Sequence, residues 1–339
     1  MPSASQGKGH DLVVIGTSTG GLPALSQLVE ALPAGLPAAV LIVMHLEAGF
    51  NSRLPELLTR KGKLRATHAL HGEAIVPGRI YVAPPDNHIV VRSGYLNVLR
   101  GPKENNHRPS VDVLFRSAAN AYGPRVIGVV LTGSLDCGTG GLLSIKARGG
   151  LAVVQDPDDA EMPEMPRSAI EHVTVDHVVP LRDMAPRIER LVREPPGQAP
   201  SQIPRALREI EGEEPGADSE IVCPLCQGKL TEGELNGYRS FRCHVGHAFS
   251  LESIAVEQAE EVERALWAAA RALEESAVLA ARLANHSRGA MRERFQEKQD
   301  AQSQQAHLIR RILLSGGVLS AADAPGLAAP SPEGREENH

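Results

Sequence analysis

The sequence is poor in cysteine, with four in 339 residues, and three of these (Cys223, Cys226 and Cys243) fall in one late stretch. That distribution excludes a disulfide framework and points to a metal site in a reducing compartment. An excess of basic charge is also missing: 35 Lys and Arg stand against 41 Asp and Glu, a net charge of −6. No global field therefore draws in nucleic acid. No apolar run reaches the ~18 residues of a membrane span. The opening "MPSASQGKGHD" lacks the apolar core of a signal peptide. The expectation is a cytoplasmic globular protein with no membrane insertion and no nucleic-acid partner. No internal repeat is visible.

What is present is an alternation of short apolar runs and amphipathic segments over residues 11–192. The strand candidates are "LVVI", "AAVLIVM", "RIYVA", "HIVVR", "VIGVVL", "LAVVQ" and "HVVP". Helix candidates are Leu22–Glu30, Arg53–Thr59, Val111–Ala121, Gly141–Arg148 and Met184–Val192. Continuous rather than alternating apolar strands suit burial on both faces, and their alternation with helices predicts βαβ units. The fold class is α/β, a mostly parallel sheet flanked by helices. Turn signals at Pro84–Asn87 and Ser93–Gly94 add a short antiparallel excursion within that sheet. Residues 193–220, rich in Pro, Gly and Glu, read as a linker with one helical turn near Ala206–Ile210. A compact Cys/His unit follows at 221–249. A helical segment then runs over 250–315, with Ile254, Leu266, Leu273, Leu279 and Leu283 on one face and a break near "NHSRG". The tail, 316–339, reads as disordered.

"DLVVIGTSTGGLPAL", Asp11–Leu25, is a strand-to-helix turn rich in small residues. A dinucleotide loop would place glycine where Ser18 stands and an acid where the second strand ends in His45; a P-loop would need a nearby lysine. The phosphate reading loses at both points and stays only as the alternative. Gly16-Thr17-Ser18-Thr19-Gly20 instead fits G-x-S-x-G, which exposes a serine hydroxyl on a sharp turn. The helix start beyond it offers unpaired N–H groups to an oxyanion. Carboxyl ends of adjacent parallel strands share one edge, so Ser18 and His45 are candidates for nucleophile and base. Asp136, after the strand Val126–Leu131, is the candidate orienting acid. Its plainer role would be an N-cap.

These pieces, "VVIGTSTGG", "VMHLEAGF", "IYVAPPDNH", "NHRPSVDVLF", "GVVLTGSLDCGTGG" and "MPRSAI", resemble in type and order the catalytic domain of the CheB-type chemotaxis protein-glutamate methylesterases. The resemblance implies hydrolysis of γ-glutamyl methyl esters on a methylated helical receptor protein, with release of methanol. It implies Ser18 as nucleophile, His45 as base, and backbone N–H groups at Thr19 and Ser134 as the oxyanion site. No cofactor is implied for catalysis. The family usually carries a receiver domain ahead of the esterase, whereas here the first strand begins near residue 12. The family pattern resembles L-T-G-x-x-x-D-G, but Leu131-Thr132-Gly133-Ser134-Leu135-Asp136-Cys137-Gly138 puts Cys137 in the acid's slot. Asp136 can swing into place, or a Cys137 thiolate, its pKa lowered at a helix N-terminus, can orient His45. With neither, the chain is a weak or silent signalling adaptor that keeps the fold and docks receptors or kinases.

"CPLC" at Cys223–Cys226 is followed by "FRCHVGH", with Cys243 and His247 as the better second pair; His244 points away on a strand. The spacing and the soft ligands predict one structural zinc on a ribbon hairpin turning at "LNGY". Because the linker separates two cores, chelation should melt the ribbon and leave the esterase domain intact. The C-terminal helices are a docking or self-association element.

Overall fold

The computed structural model describes residues 9–46, 49 and 52–315. The tail expected to be disordered, 316–339, lies outside the described residues. Two compact units meet at Ile254 and Ala255.

In the first unit, β1 (Leu12–Thr17) leads into α1 (Gly21–Ala31), β2 (Ala39–Met44), α2 (Leu54–Lys61), β3 (Arg65–His68) and β4 (Arg79–Val82). A hairpin of β5 (His88–Arg92) and β6 (Tyr95–Leu99) precedes α3 (Val111–Tyr122) and β7 (Val126–Val130). Then come α4 (Thr139–Ala147), β8 (Leu151–Gln155), α5 (Glu164–His172), β9 (His177–Val179) and α6 (Leu181–Leu191). Seven strands form one sheet in the order β3-β4-β2-β1-β7-β8-β9, with every pairing parallel. The hairpin differs from expectation: β5 and β6 pair only with each other, as a separate two-stranded sheet. Two segments without a strong periodic signal also form elements, the edge strand β3 and the helix α5.

The apolar strands are buried on both faces because period-two alternation divides them between two cores. Leu12, Val14, Leu41 and Val43 face one core with Phe115, Leu142 and Met165. Val13, Ile15, Val40 and Ile42 face the other with Leu25, Leu58 and Ile188. The strand order reverses at β1/β7, so the loops after these two strands part there and leave a crevice at the carboxyl edge.

Residues 193–220 are more than a linker. Within them α7 (Arg205–Glu211) buries Leu207 and Ile210 in the core of α3 and α4. Arg148 donates two hydrogen bonds of 2.8 Å to Glu211. The ribbon follows as an antiparallel sheet of β10 (Ala217–Val222), β11 (Lys229–Leu235), β12 (Tyr238–Cys243) and β13 (Ala248–Ser250). Its turn at Asn236 and Gly237, both at positive φ, is the one expected at "LNGY". Tyr238 of β12 enters the esterase core, and Arg242 meets Glu104 at 3.2 Å. The expected separation of the two cores therefore does not hold; apolar burial and ion pairs join them.

The second unit continues α8 (Leu251–His286) beyond Ala255 and pairs it with α9 (Ala290–Leu314), broken at 287–289. The packed seam is alanine rather than leucine: Ala270, Ala277, Ala280, Ala284 and Ala306 are buried, whereas Leu279 and Leu283 are exposed. Gln302 donates to Ser276 at 2.8 Å, and Arg310 bridges to Glu274 at 2.6 Å.

Candidate active site

Ser18 sits just past β1, where the chain turns through Gly20 at φ 75° into α1. That left-handed conformation favours glycine. The Ser18 N–H donates to Thr132 O at 3.0 Å, and the Thr17 hydroxyl donates to the same oxygen at 2.7 Å. The turns after β1 and β7 are thus stitched together. Gly133 has no room for a side chain, since a Cβ there would collide with Met165 and lie 2.9 Å from Ser18 Cβ. The Ser134 hydroxyl lies 3.5 Å from Thr19 Oγ1. The structure therefore brings Ser18, Thr19 and Ser134 to one edge.

His45 follows Met44, the register partner of Thr17, and its N–H donates to Thr17 O at 3.3 Å. Nucleophile and base candidates hence occupy neighbouring strand ends, as expected. The imidazole stacks on His107, with ring centroids 3.5 Å apart and planes 13° apart. Both His45 ring nitrogens are buried without a hydrogen-bond partner among the described residues. Burial first, and the neighbouring His107 second, hold the His45 pKa well below the usual imidazole value. Burial likewise brings His107 down to about 4, with Lys103 adding to it. His45 is therefore neutral at pH 7, the state a general base requires.

The acid candidates are elsewhere engaged. Asp136 is 2 % exposed, and its Oδ1 accepts a hydrogen bond of 2.8 Å from the Ser250 hydroxyl. Burial, with Glu252 nearby, raises its pKa well above the ordinary carboxylate value. It does not bond to His45, nor does its side chain cap α4. That helix is capped from outside, by Asp112, which accepts from Gly138 N–H at 3.0 Å and Gly141 N–H at 2.7 Å. Cys137 is buried beside Ser110, Sγ to Oγ 3.8 Å. Burial first, then the Asp112 charge, pushes its thiol pKa well up. A thiolate at Cys137 is thus disfavoured, because desolvation outweighs any help from the helix start.

His107, Asp112, Glu104 and Ser250 carry roles that the sequence reading did not assign. His107 and Asp112 lie in the quoted segment "NHRPSVDVLF". An acid inside an otherwise apolar helix start was the available signal for Asp112; nothing local marks Ser250.

At the ribbon, one ligand atom each from Cys223, Cys226, Cys243 and His247 lies within 4.8 Å of the others. Cys226 and Cys243 sulfurs are 3.7 Å apart, and His247 Nδ1 is 3.7 Å from Cys223 Sγ and 3.5 Å from Cys243 Sγ. The edge of a tetrahedron of thiolates around zinc is about 3.8 Å from ~2.3 Å bonds. The four residues can therefore hold a metal ion, and His244 is outside the group.

The family model described as CheB methylesterase matches residues 13–188. A protein-glutamate methylesterase/protein-glutamine glutaminase of Methanosarcina mazei is 40% identical over 192 residues, covering 54% of this chain and 52% of its own length. A relative of that name in Ralstonia nicotianae is 38% identical over 181 residues, covering 52% and 47%. A putative one in Leptospira interrogans is 39% identical over 183 residues, covering 54% and 95%. The chain thus spans about half the length of the first two. The crystal structure of the Thermotoga maritima CheB methylesterase catalytic domain matches with a TM-score of 0.52 and 33% identity, covering 54% of this chain and 98% of that one.

Proposed function

This chain belongs to the CheB methylesterase family, and from that membership we propose that it hydrolyses γ-glutamyl methyl esters on a methylated helical receptor protein. The observation that carries the reading is the placement of Ser18 and His45 on adjacent strand ends, with a neutral imidazole. In this mechanism His45 takes the Ser18 proton as Oγ attacks the ester carbonyl. The Thr19 and Ser134 N–H groups receive the oxyanion. His45 returns the proton to the departing methoxide, giving methanol and a glutamyl-Ser18 ester. Water then adds with the same base, releasing the glutamate and restoring Ser18.

The rate should be low. Asp136 is held by Ser250 and Cys137 is a neutral thiol, so neither acid candidate orients the imidazole. Losing the orienting acid costs on the order of 10⁴ in rate in other triads. These same facts favour the second reading, an adaptor that keeps the fold and docks receptors or kinases. Methanol release from a methylated receptor fragment, with Ser18→Ala as control, separates the two.

Zinc fits the thiolate-rich donor set at Cys223, Cys226, Cys243 and His247. There it would tie the two halves of the ribbon and supply no chemistry to the ester. The α8–α9 hairpin exposes Val278, Leu279 and Leu283 and is the proposed self-association element.

A further inference from the structure

We propose that β13 and the first turn of α8 form an internal clamp on the loop carrying Asp136, that the ribbon metal sets the clamp, and that Ser250 is its holding residue. The effect on hydrolysis rests on the esterase reading above; the effect on the loop does not.

The clamp is a buried network in which each donor has an assigned acceptor. Ser250, Ser253, Asn105 and Asp136 are 0 %, 3 %, 6 % and 2 % exposed. The Ser250 hydroxyl donates to Asp136 Oδ1 at 2.8 Å and accepts from the Ser253 N–H at 3.1 Å. The Ser250 N–H and the Ser253 hydroxyl both donate to Asn105 Oδ1, at 2.7 and 2.8 Å. The Asn105 amide donates to Asp112 Oδ2 at 2.9 Å, and Asp112 in turn holds Gly138 and Gly141. The loop is thereby gripped at Asp136 and again beyond Cys137. In a buried network of this kind the loss of one member is felt by the rest.

Two further observations make the grip a switch point. Leu135 is held at φ 60°, a strained conformation for a large L-residue, with its N–H bonded to Glu164 at 2.8 Å. Meanwhile Asp136 Oδ2 and both His45 nitrogens are buried without partners among the described residues. Released from Ser250, the loop can relax and the carboxyl can seek the imidazole. A metal held by His247 would bear on the latch through the chain itself: His247, whose carbonyl accepts from Cys243 N–H at 3.0 Å, leads directly into β13. There Ala248 bonds to Lys103 and Asn105 at 3.3 and 2.8 Å, and Ser250 follows.

The test uses the full chain and follows amide hydrogen exchange at residues 133–141, together with labelling of Ser18 by a fluorophosphonate. Ser250→Ala removes the hydroxyl that holds Asp136 and should speed exchange there about tenfold, with zinc content unchanged. Ser250→Thr, which keeps the hydroxyl, should match the wild type, and chelation should reproduce Ser250→Ala. Ser18 labelling should rise in the same order. If Ser250→Ala does not fold, Ser253→Ala carries the same expectation. Unaltered exchange in the folded, metal-loaded variant overturns the clamp. Faster exchange with no Ser18 labelling in any form supports the clamp and tells against the esterase reading.

Discussion

The imidazoles of His45 and His107 lie face to face, 3.5 Å between centroids, and burial first, with this neighbour second, keeps the candidate base neutral. Burial lowers both pKa values, His107 to about 4. Two protonated rings at that distance would repel, so the pair does not carry two charges at once.

The acid limb of the pH–rate profile for ester hydrolysis should therefore fall below pH 6.5. Replacing His107 by Asn opens the stack and should move the limb upward, toward the ordinary imidazole value. His45→Ala should leave a small residual rate from the oxyanion donors. Equal rates in His45→Ala and wild type would remove His45 from the mechanism.

The folded domain binds fewer protons than the unfolded chain at these two histidines. Stability should thus decline as pH falls below about 6.5, through about 4 for His107, while for His45 the loss runs in the same direction. Glu104 acts at lower pH. Burial alone would raise its carboxyl, but Arg116 and Arg242 outweigh that and bring it to about 2. Its contribution is complete above the unfolded value near 4.5 and is lost as pH falls through about 2. Denaturant titrations at stepped pH values should resolve both windows.

Glu104→Gln leaves Arg116 and Arg242, at 2.6 and 3.2 Å, without their shared carboxylate. Breaking a buried pair costs roughly 3–5 kcal/mol. The expected result is a large fall in the unfolding midpoint and a loosened ribbon, readable in one denaturation series.

Elemental analysis should find about one zinc per chain. Because Tyr238, Arg242 and Ser250 join the ribbon to the esterase core, chelation should lower the melting temperature of both together. A ribbon transition that leaves the esterase transition unmoved would refute this coupling.

Cys137→Asp should raise turnover at least tenfold, since it places a carboxylate in the slot that the family pattern reserves for one. Cys137→Ala should change little, because the thiol is neutral. Turnover falling in both variants would show that Cys137 itself serves the reaction.

The strand ends were legible because parallel pairing turns sequence order into position: once β1 and β2 are adjacent, Ser18 and His45 share an edge. The Cys/His set was legible because its ligands are close in sequence. The stack of His45 on His107 and the bond from Ser250 to Asp136 join residues far apart in the chain, and no periodicity signals them. The Pro, Gly and Glu around α7 signal no more than one helical turn, yet Leu207 and Ile210 suffice to bury it. In α8 the helical period was visible but not the seam, since alanine rather than leucine lines the contact with α9.

The central claim is tested most directly by methanol released from a methylated receptor fragment, measured for the wild type, Ser18→Ala and Cys137→Asp side by side. The account predicts slow release by the wild type, a loss of at least ~10³ in Ser18→Ala, and faster release by Cys137→Asp. Release by Ser18→Ala at the wild-type rate would contradict it.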